Sequence, residues 1–231
     1  MQLTGRNIEI LKIIVEEYLE TGDVIGSKLL LKKYNLGVSS ATVRSDMAKL
    51  EALDLVFQPY TSAGRLPTSK GLRAFVNYLM EQTPSYFLQE KNIDTHNGGI
   101  NKLADFVFKI TSTLSKNTGE IAFFCIPEKS IMQHCGISQF LKKNQKRLGE
   151  DIYNIIDMLE DKFNFMRFIS DFPINPGVNV FIGEENILPY LKDYSIIIKP
   201  IKIDSEIGYI GIIGSLQMNY SFNISAINGI I

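Results

Sequence analysis

Gly37-Val38-Ser39-Ser40-Ala41-Thr42-Val43-Arg44-Ser45-Asp46-Met47 is the stretch that decides how the chain reads. Asn35-Leu36-Gly37 supplies residues that tolerate the left-handed backbone of a tight turn. Ser39 or Ser40 then offers a side-chain oxygen to cap a new helix. From there Val43, Met47, Leu50 and Leu53 recur at spacings of four, three and three, an apolar stripe that must face a core. Thr42, Ser45 and Lys49 therefore lie on other faces, with Arg44 near the helix start. Hydroxyls and one guanidinium at a slim helix start suit contact with phosphates and base edges in a duplex groove.

Working outward, Gly26-Ser27 opens a short helix carrying Leu29, Leu30 and Lys33. Before it, Ile8, Leu11, Val15 and Tyr18, flanked by Ile14 and Leu19, mark an amphipathic helix that ends at Thr21-Gly22. Glu9, Lys12, Glu16, Glu17 and Glu20 are expected on its solvent side. After the third helix, Leu55 to Gln58 and Leu66 to Thr68 read as short strands around a Ser-Ala-Gly-Arg tip. That tip is expected to offer Arg65 to a phosphate or a minor groove. Ser69 to Met80 follows as a fourth helix with Leu72, Phe75, Val76 and Leu79 on one face. Helix, helix, helix, hairpin, helix is the order of a winged helix-turn-helix. Shape alone also serves protein–protein modules; the polar start of the third helix favours DNA.

Gly26-Ser27-Lys28, the run from Gly37 to Arg44, Asp46-Met47, and Gln58-Pro59-Tyr60-Thr61-Ser62-Ala63-Gly64-Arg65-Leu66-Pro67-Thr68 resemble the HrcA family of bacterial heat-inducible transcription repressors. The resemblance implies a dimer that binds an inverted-repeat operator, CIRCE, upstream of chaperone operons and represses them. It also implies the GroE chaperonin as a partner that keeps the repressor active. The residue pattern and the resemblance together assign DNA contacts to Ser39, Ser40, Thr42, Arg44, Ser45, Lys49, Thr61, Ser62 and Arg65. Ser45 stands where the family usually has Asn, and Tyr60 where it usually has His.

The rest of the chain changes character. Residues 1–80 carry ten Lys or Arg against eight Asp or Glu, and the remaining 151 residues carry 14 against 17. Overall, 231 residues with 45% apolar and 21% charged content and a net charge of −1 are globular in type and announce no partner by charge. Apolar runs such as Tyr194 to Ile198 and Gly208 to Gly214 are too short to span a bilayer. The start, Met1-Gln2-Leu3-Thr4-Gly5-Arg6, lacks a cleavable apolar signal. Two cysteines make no disulfide framework. A cytoplasmic protein is expected. The expected organisation is a winged helix-turn-helix over 1–81, a linker over 82–99 and a further domain over 100–231.

In that further domain Leu103, Phe106, Val107, Ile110 and Leu114 mark a helix, and Ile121 to Ile126 a buried strand. Ile152 to Phe168 reads as one helical stretch carrying Ile155, Ile156, Leu159, Phe163 and Met166. Val178 to Ile182, Ser195 to Ile198 and Tyr209 to Ile213 read as strands, the last two a hairpin. The class is α+β with an antiparallel sheet and helices. Ile182 to Asn186 and Gly208 to Gly214 resemble the late strands of the family's GAF-like domain. The chain is shorter than the family between Cys125 and Gly136, where members carry an inserted dimerising segment. His134, Cys135, Cys125 and His96 lack metal-ligand spacing, so no metal, no cofactor and no enzyme activity are expected. Lys142 to Arg147 reads as a solvated helix end. A small-molecule-sensing regulator stays open as the alternative, since GAF-type domains commonly hold ligands.

Overall fold

Thr4 and Asn7 cap each other's backbone at the start of helix α1 (Gly5–Thr21), so the chain enters its first helix with paired donors. The structure, a computed structural model, describes residues 3–82, 92–93, 99–145 and 149–229, with backbone alone for 92–93 and 99–102. It divides into two units, 1–82 and 83–231.

In the first unit α1 ends where Gly22 takes a φ of 76° and returns its N–H to Tyr18. Helices α2 (Ser27–Lys33), α3 (Ser40–Ala52) and α4 (Ser69–Gln82) follow, with strands β1 (Val56–Phe57) and β2 (Leu66–Pro67) pairing antiparallel between α3 and α4. Ile10, Ile14, Leu30, Val43, Leu50, Leu72 and Val76 close the core. Two details of α1 differ from the expected stripe. Ile8 is exposed, while Ile10 and Ile13 are buried, because α1 packs against α3, α4 and β2 together and needs a wider apolar face than one row. Glu17, expected in solvent, is only 5% exposed: Lys33 donates to both of its oxygens at 2.8 Å and the Tyr34 hydroxyl donates at 3.0 Å. These bonds hold the Glu17 carboxyl below the usual carboxylate range, with the Lys33 hydrogen bond the largest cause.

In the second unit the sheet runs β3 (Asn92–Ile93), β7 (Tyr194–Ile203), β8 (Glu206–Ser215), β4 (Ile121–Ile126), β5 (Ile131–Cys135), with β6 (Asn179–Ile182) also on β7. Every pairing is antiparallel except β3 with β7. Helices α5 (Gly99–Thr118) and α9 (Tyr220–Asn228) pack together against β4, β5 and β7. Helices α6 (Ile137–Asn144), α7 (Asp151–Glu160) and α8 (Lys162–Ser170) supply Phe140, Ile155 and Phe165 to a core with Phe123, Ile196 and Ile213. Helices on both faces explain why all six residues of β4 are buried.

Several expectations need correction here. The stretch from Ile152 to Phe168 is two helices, because Asp161 breaks the run and caps α8 by accepting from Asn164 N at 3.1 Å. Phe163, two residues past that break, is 74% exposed. The linker over 82–99 contains strand β3 and the first residue of α5; residues 83–91 and 94–98 lie outside the described set. Strand β5 and helix α9 had no counterpart in the sequence reading, and of α6 only its end was read. Lys142 and Lys143 form the last turn of α6, but Lys143 is not simply solvated: it bonds the buried Glu120. Lys146 and Arg147 lie outside the described residues.

Candidate nucleic-acid interface

Ser39 precedes α3 in extended backbone, and its hydroxyl accepts from Thr42 N at 3.2 Å. The same oxygen lies 3.0 Å from the Thr42 hydroxyl, so one cap aligns two of the expected contact residues. Ser40 is half-buried, its hydroxyl 3.0 Å from that of Ser27, which ties the starts of α2 and α3. Arg44 is exposed and leans back to the Ser40 carbonyl at 3.4 Å.

At 100° per residue, Ala41, Ser45, Ala48 and Ala52 fall within one narrow stripe of α3, and all four are exposed. Val43, Met47 and Leu50 lie opposite and are sealed in the core. Thr42 and Lys49 border one edge of the stripe, and Arg44 the other. The outer surface of α3 is thus a low ridge of methyl groups and one hydroxyl between longer polar side chains.

Asp46 is buried beneath the Thr42–Lys49 edge, 1% exposed. Arg6 Nε donates to its Oδ2 at 2.6 Å, Asn7 Nδ2 to its Oδ1 at 2.9 Å, and Lys49 Nζ lies 3.5 Å away. The Arg6 hydrogen bond is the largest cause that holds the Asp46 carboxyl below the usual range. Sequence reading singled out neither Arg6 nor this role for Asp46; forty residues separate the pair, and no local periodicity joins them.

The loop from Gln58 to Arg65 places Thr61 and Ser62 in solvent, with Ser62 at a φ of 67° and Tyr60 67% exposed. Gln58 Nε2 donates to the Ala63 carbonyl at 3.1 Å and steadies the loop. Arg65 departs from its expected place at the tip. Its N–H and C=O both pair with Ile25, so it belongs to the base of the hairpin. Its side chain is only 16% exposed, and Nη2 donates to Glu51 Oε2 at 2.8 Å. Gly64 permits that approach, since a Cβ there would lie 2.4 Å from the Ile25 carbonyl. The guanidinium braces the hairpin on α3 rather than facing outward.

In the second unit, burial pushes the Cys125 thiol up to about 12, away from nucleophilic character. His134 and Cys135 sit on β5 opposite Phe123 and Ala122, and burial lowers the His134 pKa. His96 lies outside the described residues. Among the described residues no three His, Cys, Asp or Glu are grouped to hold a metal. No described helix is long and apolar enough to cross a membrane.

Residues 68–224 match the family described as HrcA protein C terminal domain. The chain is 39% identical over 134 residues to the heat-inducible transcription repressor HrcA of Thermobifida fusca, covering 57% of this chain and 39% of that protein. Against the repressor of the same name from Alkaliphilus metalliredigens it is 42% identical over 122 residues, covering 51% and 36%. Against that from Thermomicrobium roseum it is 54% identical over 83 residues, covering 36% and 24%. The matched stretches thus span well under half the length of these relatives. A crystal structure of a hypothetical protein, 20% identical, superposes with a TM-score of 0.79 over 99% of this chain and 95% of the other, a likeness of fold.

Proposed function

The chain belongs to the HrcA family, and from that premise we propose that it is a DNA-binding repressor of heat-inducible transcription. Members of the family are regulators rather than enzymes. Residues 1–82 act as a winged helix-turn-helix, with α3 in a major groove and the loop around Thr61 and Ser62 on the flanking backbone. Two copies bind an inverted repeat of the CIRCE type, because a two-fold operator is matched by a two-fold protein. The second unit serves as a GAF-like regulatory and dimerising body in the cytoplasm, and the GroE chaperonin modulates its activity.

The observation that carries this reading is the α3 ridge. Ala41, Ser45, Ala48 and Ala52 are exposed and small, so the helix backbone can approach a groove floor, while Thr42, Lys49 and Arg44 stand at its edges. A surface built only to dock another protein would favour large apolar or aromatic side chains at that position.

The test is a titration of the protein onto an inverted-repeat duplex and a scrambled one, at two salt concentrations, with and without chaperonin. The repeat is expected to bind more tightly, with log K falling linearly in log salt. Arg44→Ala should weaken operator binding without lowering the melting temperature, since Arg44 is outside the core. Equal affinity for both duplexes overturns the repressor reading; no response to chaperonin removes that partner alone. A second reading, a small-molecule sensor, is favoured by an open cleft of about 520 Å³ in the second unit, lined by Asp157, Asp161, Arg167, Asp171, Leu188 and Tyr190. It predicts a ligand-dependent shift in melting temperature or operator affinity.

A further inference from the structure

Arg6 has no part in the interface described so far, yet the fold carries it from the first turn of α1 to the edge of α3. Its contact with Asp46 is made through Nε, one of the five N–H donors of the guanidinium, so donors remain for a second acceptor. Asp46 is 1% exposed, but Arg6 and Lys49 keep 40% and 42% of their side chains in solvent. The carboxylate is therefore a buried anchor, and the two cations it holds lie at the boundary between it and solvent. Asn7 completes the anchor and is itself locked to Thr4, so the α1 start cannot drift relative to α3.

One anion beneath two cations leaves a local excess of positive charge. Lys49 is one turn from Ser45 and two turns from Thr42 along the same side of α3, so that excess lies along the α1 side of the exposed ridge. Arg44 stands on the opposite side. A helix seated in a groove is bordered by a phosphate backbone on each side, and a ridge with cations at both edges fits that setting.

We propose that Arg6 and Lys49, aligned on the buried Asp46 carboxylate, form a binding site for a backbone phosphodiester of the duplex, on the α1 side of α3. The site rests on the DNA-binding reading above and adds a contact from α1. Asp46 is a positioning residue: it orders two long basic side chains before DNA arrives, so less rotamer freedom is lost on binding. Because phosphate oxygens carry no sequence information, the contact adds affinity equally to all duplexes.

The experiment compares the full chain with Arg6→Gln and Arg6→Lys on the inverted-repeat and scrambled duplexes across a salt series, with the melting temperature of each. Arg6→Gln is expected to lower affinity for both duplexes by the same factor and to reduce the slope of log K against log salt by about two, one for each copy of the bound dimer. Its deficit then shrinks about fourfold for each doubling of salt, which follows from a slope change of about two. Arg6→Lys keeps the wild-type slope. If Arg6→Gln melts below the assay temperature, Lys49→Gln gives the same readout, since Asp46 retains Arg6 and Asn7. A wild-type slope in the glutamine variants, or a loss confined to the inverted repeat, overturns the site while leaving the repressor reading intact. Wild-type protein that binds neither duplex overturns both.

Discussion

Asp46 and Glu17 in the first unit and Glu120 in the second are all buried carboxylates, but they are served by different numbers of donors. Asp46 receives Arg6 and Asn7 with Lys49 close by, and Glu17 receives Lys33 on both oxygens and Tyr34 on one. Glu120 receives Lys143 Nζ on Oε1 at 2.5 Å, while Oε2 is buried with no hydrogen-bond partner among the described residues. The first two are held below the usual carboxylate range, chiefly by hydrogen bonds from Arg6 and Lys33. Glu120 is pushed above it, chiefly by burial. Desolvation outweighs the Lys143 pairing at Glu120, whereas hydrogen bonds outweigh desolvation at Asp46 and Glu17, and that balance sets the sign. The first unit uses its buried charge to tie helices together, whereas the second pays a standing electrostatic cost.

The largest effect follows from removing the best-served anchor. Asp46→Ala strips Arg6 and Asn7 of a charged acceptor and should lower the stability of the first unit by about 2–4 kcal/mol, less than for a fully buried pair because Arg6 and Lys49 reach solvent. The chain has no Trp, so amide exchange or calorimetry is the suitable measurement. A loss under about 1 kcal/mol would break the contrast drawn above.

Acid gives a second, smaller separation of the units. Lowered carboxyl pKa values in Asp46 and Glu17 mean stability that is present above the unfolded range near ~4 and is lost as pH falls through the folded values. Glu120 runs the other way: its raised pKa means stability that declines as pH rises above that range. Between neutral pH and about 2, the first unit should therefore hold steady down to about 4 and then weaken, while the Glu120 contribution improves on the way to about 4. Calorimetry across that range checks it, and parallel shifts of both units would contradict the assignment of opposite signs.

What the sequence made legible divides along the same lines. Ser39 as a cap, the Val43–Met47–Leu50 stripe and the Thr21-Gly22 stop are signals within one or two helical turns, and periodicity finds such signals. The β7–β8 hairpin and the apolar run of β4 are equally local. Arg6 with Asp46, and Glu17 with Lys33 and Tyr34, join residues on different helices, and no spacing rule connects them. Arg65 looked free because glycine-loosened tips present side chains; its pairing with Ile25, forty residues upstream, draws it to the hairpin base instead. Strand β5 carries Gln133 and His134 between apolar residues at an edge, and α9 is built from Ser, Asn and Ile, which favour helix weakly. Asp161 followed three residues later by Asn164 did carry a readable break, hidden by apolar spacing that continued across it.

Glu120→Gln isolates the cost in the second unit. The folded protein holds the Glu120 proton to higher pH than the unfolded chain does, so above the ordinary carboxylate range the charged form opposes folding. Lys143 offsets part of this, but it is 44% exposed and reaches one oxygen of the two. Glutamine cannot titrate and keeps an oxygen for Lys143 Nζ. Near pH ~3, where Glu120 is protonated in both states, variant and wild type should therefore unfold alike. At pH 7–8 the variant should be equal or more stable, by at most about 1 kcal/mol, because Lys143 keeps 44% of its side chain in solvent and is not left as a buried unpaired charge. Loss of more than that at pH 7–8 would mean that the Lys143 pairing outweighs desolvation, and Glu120 would then join Asp46 and Glu17 as a stabilising anchor.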